Sequence, residues 1–114
     1  GCAQLENLDR YVADKRETAA RYVEFFKGKE DITFFTEPAD CKSNYWLNAV
    51  VLKDKAAQLD FLEYTNDHGV MTRPVWELMN RLPMFEHCET DGLENTEWLA
   101  DRVVNIPSSV RLDK

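Results

Sequence analysis

Residues 45–52, which read Tyr45-Trp46-Leu47-Asn48-Ala49-Val50-Val51-Leu52, form the most strand-like stretch of this 114-residue chain. Aromatic and β-branched side chains favour extended backbone, and the unbroken apolar run at 49–52 is typical of a strand buried on both faces. A second run, Ile32-Thr33-Phe34-Phe35-Thr36, ends ahead of Pro38. We predict that the two segments pair as antiparallel strands.

The chain after this strand pair predicts a helix and a short strand. Asp54 suits the N-cap of a helix over 55–67, and Gly69 suits the left-handed position after its last turn. A strand at 70–72 should end near Arg73, because Pro74 donates no hydrogen bond.

The remaining C-terminal part predicts one more helix and one more strand. Leu93 and Trp98 are spaced as a hydrophobic staple around a helix of about 95–102. Residues 103–106 form a short apolar strand that Pro107 closes.

The N-terminal residues 3–27 predict one long helix. Their apolar side chains recur at spacings of three and four, Lys15 is the one polar intrusion, and Gly28 is the stop signal. About 25 residues make a helix of roughly 37 Å, as long as the domain should be wide. A helix of this length at one end of a chain commonly connects to something beyond its domain, so we expect residues 1–28 to form a bridging helix.

The predicted fold class is α+β. A long N-terminal helix precedes a small antiparallel or mixed sheet packed with helices. We predict one domain, with residues 1–28 as the bridging helix and residues 29–114 as the α+β body.

Composition narrows the possible functions. The chain has 14 basic and 21 acidic residues, a net charge of −7, which disfavours binding to nucleic acid or anionic lipid. It has no apolar run of the ~20 residues that a membrane span needs, and its three cysteines are irregularly spaced. We expect a cytoplasmic protein.

Known catalytic and metal-binding motifs are missing from the sequence. No C-x-x-C or H-x-x-x-H spacing indicates a metal, and the four isolated glycines cannot form a phosphate-binding loop. His68 and His87 have no suitably spaced nucleophile, so we predict no catalytic and no metal-binding residue here.

Two clusters are candidates for ligand binding. Arg73 and Trp76 follow a predicted strand, and they offer a planar fork for carboxylate or phosphate and a flat apolar face. The alternative is that Arg73 pairs with an acid and Trp76 is buried in the core. Asn44, Tyr45 and Trp46, at the start of the strongest strand, form the second cluster.

The motifs in and around these clusters resemble the C-terminal part of the DegT/DnrJ/StrS sugar aminotransferases. They occur in the family's order and span nearly the whole chain. The nearest branch aminates the C4 keto group of UDP-linked 4-keto-6-deoxy-N-acetylhexosamines, on routes to bacillosamine and legionaminic-type sugars. The matching segments are residues 1–8, 43–49, 72–76, 82–85 and 104–109.

The resemblance implies a function and a set of partners. Enzymes of this family have fold type I, use pyridoxal 5'-phosphate, and move an amino group from glutamate to a nucleotide-linked keto sugar. They are homodimers with active sites between large and small domains. The resemblance places substrate-binding positions at Arg73, Trp76, Asn44, Tyr45 and Trp46.

The same resemblance implies that this chain is the small domain alone. The family's Schiff-base lysine, pyridinium-pairing acid and phosphate cup lie in the large domain, and no lysine here, from Lys15 to Lys114, has a matching context. We expect no cofactor-binding residue in this chain and no transamination by it alone. The alternative is a free-standing, non-catalytic acidic interaction module with the same fold.

Overall fold

The computed structural model describes residues 1–111 and consists of helices packed on one face of a four-stranded sheet. This arrangement confirms the predicted α+β class. The helices are α1 (Cys2–Leu5), α2 (Leu8–Phe26), α3 (Lys55–Asp67) and α4 (Glu94–Ala100), and the strands are β1 (Ile32–Phe34), β2 (Asn48–Leu52), β3 (Arg73–Pro74) and β4 (Val103–Ile106), with a 3₁₀ turn at Met79–Arg81.

The sheet has the order β1-β2-β4-β3, and every neighbouring pair is antiparallel. Val50 lies opposite Phe34 on one side and Val104 on the other. Val50 and Val104 are both 0% exposed, so the centre of the core lies where β2 meets β4. The antiparallel pairing of the first two predicted strands is therefore confirmed.

Helices α2 and α3 cover this buried face of the sheet. Ala19 of α2 belongs to the core, and side chains of both helices pack around it. They are Tyr22 and Phe26 of α2, and Ala57, Phe61 and Leu62 of α3. Ala49 and Val51 on the opposite face are only half-buried, so the predicted burial of 49–52 on both faces is complete on one face and partial on the other.

Local signals around α3 are confirmed. The Asp54 carboxylate accepts a hydrogen bond from the Ala57 amide at 2.8 Å, as an N-cap does. Gly69 has a φ of 77° after the last turn. Gln58, which is fully buried, donates from its amide to the carbonyls of Ala100 and Val103 at 2.9 Å each, so α3 is tied to the start of β4.

Four predicted elements differ from the structure at the level of the backbone. The N-terminal helix is interrupted at Glu6 and Asn7, where the side-chain Nδ2 of Asn7 donates to the Ala3 carbonyl at 2.9 Å. Strand β2 begins at Asn48 instead of Tyr45. The backbone at Tyr45 is left-handed, with a φ of 47°, which takes it out of the extended conformation.

The predicted strand at 70–72 is displaced to Arg73–Pro74. Thr72 is buried, and its hydroxyl lies 2.6 Å from the Thr65 hydroxyl. Pro74 is acceptable in β3 because β3 is an edge strand, where a missing N–H leaves no ladder partner unsatisfied.

Helix α4 also begins earlier than predicted. Leu93 is itself the N-cap, with a φ of 57°, so Leu93 and Trp98 do not have the N′ and N4 positions of a staple. The 1–28 and 29–114 division stays a prediction, and residues 112–114 lie outside the described residues. No helix within 1–111 has both the length and the apolar character needed to cross a membrane.

Candidate functional site

An open cleft of about 820 Å³ lies beside the edge strand β3 and the end of β4. Its walls come from α2, from the loop before β2, from β3 and the residues flanking it, and from β4 with the segment after it. The lining residues are Lys15, Trp46, Leu47, Met71, Arg73, Pro74, Val75, Trp76, Asn105, Ile106, Pro107, Ser108 and Ser109.

Arg73 and Trp76 are displayed on one wall of this cleft. Trp76 is 72% exposed, and Arg73 is exposed as well. The Arg73 guanidinium contacts the Met71 sulfur at 3.7 Å, and it makes no ion pair with a carboxylate of the described residues. The alternative of a paired Arg73 and a buried Trp76 is therefore not what the structure shows.

The second cluster is divided by the fold. Trp46 lines the same cleft as Arg73 and is 68% exposed. Asn44 and Tyr45 do not line it. The Asn44 side chain accepts from the Trp46 amide at 3.0 Å, and the Tyr45 ring stacks on Phe34 with centroids 6.4 Å apart.

Tyr45 belongs to an ion-pair cluster that fixes the loop at 35–47. The two Glu37 carboxylate oxygens accept from the two arms of Arg16 at 3.0 and 2.6 Å, and one of them also accepts from the Ser43 amide. The Arg16 guanidinium lies 5.6 Å from the Tyr45 ring centroid, which is a cation–π distance. Arg16 therefore helps to hold this loop on α2.

Electrostatics in this cluster favour the charged forms of both partners. The hydrogen bond from Arg16, followed by that from the Ser43 amide, lowers the pKa of Glu37 from 4.5 to about 2. The hydrogen bond to Glu37 raises the pKa of Arg16. The pair stays ionised at neutral pH and acts as a structural latch.

Lys15 is a cleft residue that our sequence interpretation treated only as an intrusion in an apolar stripe. Its ammonium donates to the Trp46 carbonyl at 3.3 Å and to the Ser108 carbonyl. The ammonium therefore joins the loop before β2 to the segment after β4. A cation within an apolar helix stripe was the available signal, but its partners are 31 and 93 residues away.

Ser108 links two segments of the fold beside the cleft. Its hydroxyl accepts from the Asn48 amide at 2.7 Å and donates to the Ile106 carbonyl at 2.8 Å. It thereby fastens the start of β2 to the chain leaving β4. Asp14, which precedes Lys15 on α2, accepts from the Arg111 backbone amide and from its guanidinium, both at 3.0 Å.

The described residues form neither a metal site nor a disulfide. Among residues 1–111, no group of three or more His, Cys, Asp and Glu side chains could hold a metal ion. The cysteines at 2, 41 and 88 are all exposed and free. What the cleft offers is two cations, two indoles and several backbone groups, which suits binding of a flat, anionic ligand.

Comparison with known proteins identifies relatives over nearly the full chain. The model of the DegT/DnrJ/EryC1/StrS aminotransferase family matches residues 1–114. EpsN of Bacillus subtilis (strain 168), named as a pyridoxal phosphate-dependent aminotransferase, is 29% identical over 112 residues, which are 95% of this chain and 29% of EpsN. GDP-perosamine synthase of Vibrio cholerae is 25% identical over 111 residues, 95% of this chain and 30% of that protein.

A solved structure shows the same fold. Helicobacter pylori PseC, an aminotransferase involved in the biosynthesis of pseudoaminic acid, superposes with a TM-score of 0.88 at 18% identity, over 99% of this chain and 31% of PseC. The chain thus spans about three tenths of the length of the relatives it matches.

Proposed function

Because the chain belongs to the DegT/DnrJ/EryC1/StrS aminotransferase family, we propose that it is the C-terminal part of an enzyme that transfers an amino group from glutamate to a nucleotide-linked 4-keto-6-deoxy sugar. The observation that carries the proposal is the cleft, where Arg73 and Trp76 are exposed and Arg73 has no carboxylate partner among residues 1–111. The cleft volume lies in the range of small-molecule sites.

Arg73 has the chemistry needed for the anionic part of a substrate. Its planar guanidinium can donate two parallel hydrogen bonds to a glutamate carboxylate or to a nucleotide phosphate. Trp76 and Trp46 present broad apolar faces on which a base or a sugar ring can pack. We therefore assign substrate positioning to these three residues and loop support to Asn44 and Tyr45.

The proposed substrate has two lines of support. GDP-perosamine synthase is named for a GDP-linked compound, which is consistent with a nucleotide-linked sugar here. The sequence also resembles the branch that acts on UDP-linked 4-keto-6-deoxy-N-acetylhexosamines. We propose a substrate of this class, a cytoplasmic location and a homodimer.

Enzymes of this family depend on pyridoxal phosphate, and we propose that residues 1–111 do not hold it. When bound, it supplies an electron sink for amino-group transfer, and it needs a lysine amine, an acid for its ring nitrogen and a phosphate cradle. The lysine in the cleft is Lys15, and its ammonium donates to two carbonyls. We therefore assign no chemical step through the cofactor to this chain, and we propose that its binding residues lie outside it.

The test compares two proteins: this 114-residue chain and the product of the complete reading frame that contains it. Each is incubated with pyridoxal phosphate, glutamate and a panel of UDP- and GDP-linked 4-keto-6-deoxy sugars. We expect the longer product to form amino sugar and 2-oxoglutarate in equal amounts, and the chain alone to form neither. Stoichiometric cofactor binding and turnover by the chain alone would contradict the proposed division of labour. A reading frame that starts at this chain and aminates none of the sugars would support the interaction module instead.

A further inference from the structure

The charge of the cleft differs in sign from that of the chain. Overall the chain carries 21 acidic and 14 basic residues. The residues that line the cleft include two cations, Lys15 and Arg73, and no aspartate or glutamate. A basic cleft in an acidic chain attracts an anion to the site, while the rest of the surface repels it.

Lys15 reaches the cleft from α2, whereas Arg73 reaches it from β3. Lys15 is half-buried, and its ammonium forms no ion pair with a carboxylate of residues 1–111. Two of its three N–H groups are used by the Trp46 and Ser108 carbonyls. One donor and the full positive charge are therefore still available to a ligand.

The charged residues on either side of Lys15 bind segments outside the cleft. Asp14 accepts two hydrogen bonds from Arg111, and Arg16 donates to Glu37 and to the Ser43 carbonyl. Of the three consecutive charged residues, Lys15 is the one that lines the cleft. Its two carbonyl partners hold it in place, so an anion would meet a positioned donor and not a freely rotating side chain.

We propose that Lys15 and Arg73 form a two-cation site for one oxyanion, to which Lys15 donates its third N–H. The identity of the anion, a nucleotide phosphate or a glutamate carboxylate, rests on the proposed function. The positive charge of the site and its hydrogen-bond donors rest on the structure alone. Because Lys15 also binds the loop bearing Trp46, an anion held there would lie beside that indole.

The experiment measures binding of inorganic pyrophosphate and of L-glutamate to the 114-residue chain by titration calorimetry at low ionic strength. The variants are Lys15→Met, which keeps the apolar stem, and Arg73→Met. Lys27→Met is the matched control, because Lys27 lies outside the cleft and its removal changes the net charge equally. We expect each cleft variant to weaken the binding of one probe by about tenfold, and Lys27→Met to leave it unchanged.

The probe that binds identifies the source of the oxyanion. Weakened pyrophosphate binding assigns the site to a phosphate, and weakened glutamate binding assigns it to a carboxylate. The proposal is overturned if neither probe binds the unmodified chain at the highest concentration that can be reached. It is also overturned if Lys15→Met and Lys27→Met bind both probes equally well.

Two further measurements distinguish anion binding by Lys15 from a merely structural role. Lys15→Arg keeps the cation and its donors, so it should restore binding if the charge matters. Added salt should weaken binding to the unmodified chain more steeply than to Lys15→Met, because one cation fewer faces the anion. Equal salt dependence of the two proteins would show that Lys15→Met only loosens the loops.

Failure of this inference is distinguishable from failure of the proposed function. The binding assay contains neither cofactor nor keto sugar, so anion binding can succeed while amination is absent. Conversely, amination by the longer protein with unchanged KM values in Lys15→Met would overturn the site and leave the proposed function standing.

Discussion

Asn44 and Tyr45, which lie before β2, and Arg73 and Trp76, which lie in and just after β3, contact different parts of the molecule. Tyr45 stacks on the core residue Phe34 and lies against Arg16, and the side chain of Asn44 is used in a local turn. Arg73 and Trp76 line the cleft and are exposed.

The difference separates residues that build the site from residues that are free to bind. A half-buried ring with two aromatic or cationic neighbours contributes to folding, and its loss is felt in the free energy of unfolding. An exposed guanidinium without a carboxylate partner contributes little to folding and keeps its donors for a ligand. The following predictions test this division.

Tyr45→Ala should give the largest change in stability. Loss of the ring removes its packing on Phe34 and the Arg16 contact, and we expect the free energy of unfolding to fall by about 2–3 kcal/mol. Urea denaturation measures the change. Trp46→Ala is the neighbouring control and should shift the value by less than about 0.5 kcal/mol; equal losses for the two variants would contradict the division.

Glu37→Gln should remove a pH-dependent contribution to stability. The pKa of Glu37 is lowered from 4.5 to about 2 in the folded chain, so its ion pair stabilises the fold above pH 4.5, and this contribution is lost as the pH falls through about 2. The difference in stability between wild type and variant should be full at pH 6 and shrink between these two values. Glu6→Gln controls for the loss of one charge, and a wild-type advantage that is constant with pH would disprove the latch.

Trp76→Ala should have the smallest effect on folding and a moderate effect on binding. Because the indole is 72% exposed, we expect unfolding to change by less than about 0.5 kcal/mol. In the longer enzyme that we propose, the apparent KM for the proposed nucleotide sugar should rise by about fivefold. Trp98→Ala, which removes an indole outside the cleft, should leave KM unchanged. An equal rise in KM for both variants would contradict a binding role of Trp76 in the cleft.

The parts of the fold that the sequence predicted correctly depend on neighbours along the chain. The Asp54 side chain caps α3 by accepting from the amide of Ala57, three residues further along the chain. The strand at 103–106 is bounded by Pro107. These features need no tertiary information, since the capping atom and the proline act locally.

The parts that were missed depend on distant residues. Strand β3 exists because Arg73 and Pro74 pair with Asn105 and Val104, so the predicted strand at 70–72 was placed too early. Lys15 has partners on two other segments, which a helical periodicity cannot reveal. For the candidate site, residue types predicted Arg73, Trp76 and Trp46, whereas exposure and contacts were needed to separate them from Asn44 and Tyr45.

The central claim is that the exposed cleft residues Arg73, Trp76 and Trp46 bind substrate while Asn44 and Tyr45 support the loop at 35–47. The most direct measurement is the steady-state kinetics of Arg73→Ala in the longer enzyme, with the unfolding curve of the same variant. We predict that the apparent KM for glutamate or for the nucleotide sugar rises by about tenfold or more while the unfolding curve stays that of the wild type. Unchanged KM values for both substrates, in a variant that folds normally, would contradict the account.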